Sequence, residues 1–361
     1  MSGNSNSTGA ARRLIMRALF SPREVDKMAN TANVRSSIKI DIRSAAAELS
    51  HRLPFETFVI LMTIGLWIFL AVATPIFISR ENILNLMRQV SISAIIAFGV
   101  LFTIVIAGID LSVGSVAALV GVVSAKLLSA NVPFPLALAA GLSVGLTIGL
   151  VNALAVAKLG IPPFIVTLAG LQTFRGLALL ATGAQSIGGT SRELTDFARG
   201  ELLGIPNLFW TMAVIGIVLH FVLSATRTGR YCYAMGSNIE AARRVGINVT
   251  RIAIVAYITS AAMAAIAGIL LVGRLNVATP TAAMGYELDA IASVVVGGAS
   301  LFGGRGTIPG TLVGSTLFAT IGNGANLLGV DPFWEMVVAG LLIAVVVYVD
   351  DRQKRRQAGI K

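Results

Sequence analysis

Arg227–Arg251, RTGRYCYAMGSNIEAARRVGINVTR, is a polar interval between two apolar runs of membrane-spanning length. Five of its residues are basic (Arg227, Arg230, Arg243, Arg244, Arg251) and one, Glu240, is acidic. Arginine beside a span favours the cytoplasmic side, so the interval reads as a cytoplasmic loop. Within it Asn238 is a good N-cap, residues 239–245 are mostly helix formers, and Gly246 supplies a stop. The pattern predicts a two-turn helix whose Ala241 and Ala242 form a small-residue surface that a second backbone can approach closely. The local chemistry leaves two readings open, a docking element and a solvated connector held inside by its arginines.

The runs on either side decide the class. The chain has 361 residues, of which 55% are hydrophobic and only 12% charged, with a mean hydropathy of +0.83. Soluble domains carry about 25% charged residues. Apolar stretches of span length recur along almost the whole chain, which predicts an all-α polytopic membrane protein. The net charge of +11 sits in tails and loops beside spans, where it orients the protein and gives no reason to expect nucleic acid. Cys232 is the single cysteine, so there is no disulfide framework. Two histidines far apart in sequence, His51 and His220, give a metal site no support.

Three regions follow. Residues 1–54 form a basic tail, mostly disordered, opening on MSGNSNSTGA and lacking the apolar core of a signal peptide. Residues 55–349 form the transmembrane domain, with 227–250 as its coupling loop, and 350–361 are a second basic tail. Ten spans are expected, at about 55–75, two within 91–128, 133–157, 163–181, 208–226, 251–273, 286–299, 308–328 and 333–349. A short amphipathic segment, residues 79–88, is expected at the interface. A polar loop, residues 182–207, separates the fifth and sixth spans. This arrangement puts 21 of the 28 Lys/Arg on one side and both termini in the cytoplasm.

Two glycine-rich breaks interrupt the apolar runs. AGIDLSVG (107–114) sets Asp110 and Ser112 between Gly108 and Gly114. A charged group at membrane depth is costly and usually functional, and broken helices are tolerated where they line a cavity or are buried in protein. VVVGGASLFGGRGTIPG (294–310) carries Gly297, Gly298, Gly303 and Gly304. Either could be simply a tight turn, and the expected topology puts both on one side of the membrane. GGRG lacks the Gly-Lys-Ser/Thr run of a phosphate loop, so direct ATP binding is not expected. In the 133–157 run Gly141, Gly145 and Gly149 recur every four residues, a ridge suited to close helix packing.

GIDLSVG (108–114), GSNIEAARRVGI (236–247) and GGASLFGGRGTIPGTLVG (297–314) together resemble, in order and separation, the ribose-type monosaccharide permeases of bacterial ABC importers. The resemblance covers about 55–349. It implies a ten-helix inner-membrane subunit paired with a second copy, fed by a periplasmic sugar-binding protein and driven by a cytoplasmic ATPase. ATP and Mg would bind that ATPase, and this chain would hold no cofactor and catalyse no reaction. Asn238, Glu240, Ala241, Ala242, Arg243, Gly246 and Ile247 look like the coupling motif that seats in the ATPase, although the Leu-Pro of its full form is missing. Gly108, Asp110, Ser112, Gly114, Gly297, Gly298, Gly303 and Gly304 would shape the gate or pathway. Loop 182–207, with Arg192, Glu193, Asp196, Arg199 and Glu201, would form part of the binding-protein dock or a solvated loop.

Two other functions fit parts of the pattern. A stand-alone proton- or Na⁺-coupled carrier would use Asp110, Glu287, Asp289 and Asp331, but leaves the 238–247 helix unexplained. An importer of branched-chain amino acids would share the architecture, and Asp110-Leu-Ser does not exclude it.

Overall fold

The structure, a computed structural model, describes residues 55–189 and 191–331, with single positions of the following apolar run (334, 337, 340, 341, 344 and 348). The two basic tails and most of the expected tenth span lie outside the described residues. Twelve α-helices follow in order: α1 (Phe55–Ala73), α2 (Arg80–Val105), α3 (Val113–Ser129), α4 (Phe134–Ala157), α5 (Pro163–Thr182), α6 (Arg192–Arg199), α7 (Asn207–Ala225), α8 (Arg227–Ser237), α9 (Ile239–Arg244), α10 (Val249–Leu275), α11 (Tyr286–Val296) and α12 (Ile308–Leu327). Among the described residues strands are confined to two-residue pairs: β1 (Ile187–Gly188) with β4 (Val277–Ala278), and β2 (Glu201–Leu202) with β3 (Ile205–Pro206). Among the described residues five helices, α2, α4, α5, α7 and α10, are long and apolar enough to cross a membrane, so the chain is an all-α membrane protein.

Burial sorts these helices into inner and outer. The span of α2 is 83% buried and that of α10 67%, against 17–28% for α4, α5 and α7. Helices apolar all round bury in protein or face lipid, and here α2 and α10 form the centre. Isoleucine, valine and phenylalanine of α5 and α7 point outward, among them Ile165, Ile217 and Phe221. α4 lies on α10 along its glycine ridge. A Cβ on Gly149 would stand 2.8 Å from Ala261 Cβ and 2.9 Å from Tyr257 O, and one on Gly145 2.6 Å from Ala265 Cβ. Gly141 faces Ser124 of α3.

Three expected elements differ. Residues 79–88 are no separate interfacial segment: Ser79 caps α2, accepting from Asn82 N at 3.3 Å, and the polar residues are its first turns. They are drawn into the fold by partners at that end, with Arg80 and Arg88 both pairing to Glu201. Loop 182–207 holds the amphipathic helix α6 and the β2–β3 hairpin, so its charges are partly spoken for. The segment 286–299 does not span. α11 has eleven residues, about 16 Å at 1.5 Å per residue, half of a ~30 Å core. Gly297 follows its last residue as the C-cap and lies against the backbone of Gly310, where no side chain fits.

Candidate functional site

The loop between α7 and α10 folds as two short helices. Thr226 caps α8, its hydroxyl accepting from Gly229 N at 3.3 Å. Asn238 Oδ1 accepts from Ala241 N at 2.9 Å and starts α9. At the other end Gly246 N donates to Arg243 O and Ile247 N to Ala242 O, both at 3.0 Å. That double closure is the Schellman stop, and Gly246 meets its left-handed requirement with φ +84°. Ile239, Glu240, Ala241, Arg243, Arg244, Val245 and Gly246 are exposed, while Ile247 is half-buried. Ala242 is not part of the outward surface: it is 3% exposed, turned back into the protein by the helical phase. The offered face therefore has one small residue, Ala241, flanked by Ile239 and Val245, which are 41% and 76% exposed. The Glu240–Arg243 pair, 3.5 Å apart on the surface, adds little to stability.

Both glycine-rich breaks meet the base of this loop. Gly304 N donates to Val105 O at 2.9 Å, across the end of α2. Gly236 of α8 sits so close to Val105 and Gly304 that a Cβ would stand 2.6 Å from Gly304 N. A Cβ on Gly303 would come within 2.9 Å of Ala107. Gly298, Gly303 and Gly304 all have positive φ, so the turn after α11 needs its glycines as well as its space. Tyr233 of α8 donates its hydroxyl to Gly306 O at 2.7 Å. Three stretches far apart in sequence thus form one knot.

From that knot residues 108–112 run inward to α3. Gly108 packs under the Tyr257 ring, where a Cβ would stand 2.7 Å from the hydroxyl. Asp110 Oδ1 accepts from Ser112 N at 3.0 Å and Ser112 Oγ at 2.6 Å, and Oδ2 accepts from Ser260 Oγ at 2.8 Å. Asn152 Nδ2 donates to Ser112 Oγ at 3.0 Å. Asp110 and Ser112 are 1% exposed. This network ties the break to α4 and α10.

α3 and α11 start against one another. Gly114, in the first turn of α3, has Glu287, in the first turn of α11, directly against it. Glu287 Oε1 accepts from Gly285 N at 3.2 Å, and its Oε2 is buried with no hydrogen-bond partner among the described residues. Arg175 of α5 donates to Pro280 O and Ala282 O, each at 2.8 Å, holding the turn that leads into α11. Sequence reasoning set Glu287 at a span end and gave Arg175, Asn152, Tyr257 and Ser260 no role. An arginine within the apolar run PFIVTLAGLQTFRGLALLAT was the available signal for Arg175.

At the end opposite α9, Glu201 bridges Arg80 (2.8 Å) and Arg88 (3.0 Å), and Arg199 Nε donates to Arg274 O at 3.0 Å. These two loop residues fasten α6 and its hairpin to α2 and α10. Arg192, Glu193 and Asp196 stay exposed. Among the described residues no group of His, Cys, Asp or Glu could hold a metal ion.

The family described as "Branched-chain amino acid transport system / permease component" matches residues 82–347, which include every helix from α3 to α12 and nearly all of α2. The chain belongs to this permease family. It is 41% identical over 285 residues to the ribose import permease protein RbsC of Escherichia coli (strain K12), covering 78% of this chain and 89% of that protein. It is 43% identical over 288 residues to RbsC of Bacillus subtilis (strain 168), covering 79% and 89%. To the D-allose transport system permease protein AlsC of Escherichia coli (strain K12) it is 38% identical over 314 residues, covering 84% and 96%. No solved structure matches the chain.

Proposed function

We infer that the chain is the permease subunit of an ABC importer that carries a monosaccharide, a ribose-like pentose or a hexose, across the bacterial inner membrane. The observation that carries this reading is similarity to ribose and allose permeases over about nine tenths of their length. In the working assembly the subunit has ten spans with both termini cytoplasmic and pairs with a second copy. A periplasmic sugar-binding protein delivers cargo at the α6 end, where Arg192, Glu193 and Asp196 are available to it. A cytoplasmic ATPase, holding ATP and Mg, seats α9 in a groove.

Asn238 and Gly246 keep α9 rigid enough to transmit force, and Ala241, Glu240, Arg243 and Ile247 meet the ATPase. Ala242 backs the helix from behind. ATP-driven closure pulls α8, and Gly236 passes the displacement to Val105 and Gly304. The 107–114 and 297–304 breaks then act as hinges, with the Asp110 network as the latch of the closed state. Family membership and the capped α9 both weigh against a stand-alone carrier.

The test is sugar uptake in proteoliposomes with the ATPase and binding protein added, comparing wild type with Gly246→Asp. Any side chain is less at ease than glycine at φ +84°, and aspartate also puts a negative charge on the docking surface, so the stop and that surface are both disturbed. Uptake that needs ATP, with ATPase binding lost in a folded variant, supports the reading. ATP-independent uptake by wild type, or an unaffected variant, overturns it.

A further inference from the structure

A cavity of about 280 Å³ opens at the end of the molecule opposite α9, between α2, α10 and α12. Five of its eight lining residues carry amide or guanidinium groups: Asn85, Gln89, Arg274, Asn323 and Asn326. In a chain with so few polar side chains, this convergence from three helices onto one concavity needs an account. We propose that the cavity is an entry subsite for one neutral polyhydroxylated ring, which rests on the import reading above.

Volume limits the occupant. The cavity sits at the floor of the ~300–1,000 Å³ range of small-ligand pockets, room for a single small ring. Apart from the Arg274 guanidinium, which is tied to Asn85, its lining is neutral and two-sided. A side-chain amide both donates and accepts, as a sugar hydroxyl does. Asn323 is committed to a reciprocal pair with Asn82, at 2.8 and 3.1 Å, and Arg274 donates to Asn85 Oδ1 at 2.9 Å. These bonds hold the lining in place. The side-chain amides of Gln89 and Asn326 make no hydrogen bond to protein among the described residues and are the groups left for a ligand.

Charge selects against other cargo. Arg274 is in the last turn of α10, and Asn323 and Asn326 are in the last turns of α12. Helix C-termini carry partial negative charge, which offsets the Arg274 cation and leaves little net pull on an anion. Among the described lining residues there is no carboxylate to receive an ammonium, so these residues offer a zwitterionic amino acid no partner for one end. Binding here is weak, since a transport site must release what it takes.

The test is substrate protection of Asn326→Cys in the full-length chain in lipid nanodiscs. Cys232, fully buried, contributes no background. At about 50 mM D-ribose or D-xylose, maleimide labelling slows about sixfold, as occupancy with a Kd near 10 mM requires, and L-leucine has no effect. Gln89→Cys behaves the same way and serves if Asn326→Cys misfolds. Leu203→Cys, exposed on the hairpin tip and outside the lining, is unprotected. Equal rates with and without sugar, equal slowing at Leu203→Cys, or protection by L-leucine overturns the subsite. Wild-type uptake measured in the reconstituted importer separates the two claims. Uptake without protection sinks only the subsite, and no sugar uptake at all sinks the import reading.

Discussion

Gly236 and Gly304 are in backbone contact, 68 positions apart in sequence, and neither leaves room for a Cβ. One belongs to the helix that leads into α9 and the other to the turn after α11, so a displacement of the first is felt by the second. Gly236→Val should overpack this contact at a cost of about 1–3 kcal/mol. Thermal unfolding of the detergent-solubilised variant should show the loss, and a melting temperature equal to wild type would deny the contact any rigidity.

Removing the α9 cap isolates the loop helix from the rest. Asn238→Ala leaves Ala241 N without its acceptor and costs about 1 kcal/mol of local helix stability. If α9 docks as a preformed helix, ATPase affinity measured by titration falls about fivefold. Asn238→Ser keeps a capping oxygen and should restore most of it; equal weakening by both would put the effect elsewhere.

Asp110 separates geometry from charge. Asparagine at this position still accepts from Ser112, and the Ser260 hydroxyl can turn to accept from its amide. Alanine strands both serines in the interior, at about 1–3 kcal/mol for each buried group left unpaired. Asp110→Asn should therefore fold near wild-type level and Asp110→Ala much less, read by monodisperse yield and unfolding temperature.

The glycine ridge of α4 makes a paired comparison. Gly149→Ala drives a Cβ into the α10 backbone, while Gly176→Ala in α5 meets nothing within 4 Å. The first should destabilise by about 1–3 kcal/mol through overpacking. The second should be neutral or better, since alanine favours a helix over glycine by about 0.5–1 kcal/mol. Similar melting temperatures for the two variants would contradict the close α4–α10 packing.

Cys232 should be silent in the folded protein. Burial pushes its thiol up to about 11, so near neutral pH the reactive thiolate is about one part in ten thousand. Its folded value lies above that of an exposed thiol, so reactivity should appear only on unfolding or well into alkaline pH. Rapid maleimide labelling at pH 7 without denaturant would show α8 to be open.

Most helices were legible because apolar length alone defines a span: α4 and α5 begin and end within a residue of their expected limits. The α9 caps were legible for the same kind of reason, since Asn238 and Gly246 act within one turn of sequence. What escaped depends on distant partners. α11 and the Gly297 turn read as an ordinary span until Gly310 and Gly114 are seen to lie against them. The acceptors of Arg175 are backbone carbonyls, which carry no signature in sequence. Ala242 failed as a surface residue because a two-turn helix has only one outward side.

The shortness of α11 also bears on how the chain is made. Eleven residues that include Glu287 and Asp289 form a poor stop for a translocating chain. Apart from α12, the segments it meets, among them Gly114 of α3 and the turn held by Arg175 of α5, are synthesised earlier. α11 is therefore expected to enter late, as one arm of a hairpin with α12, against helices already in the bilayer.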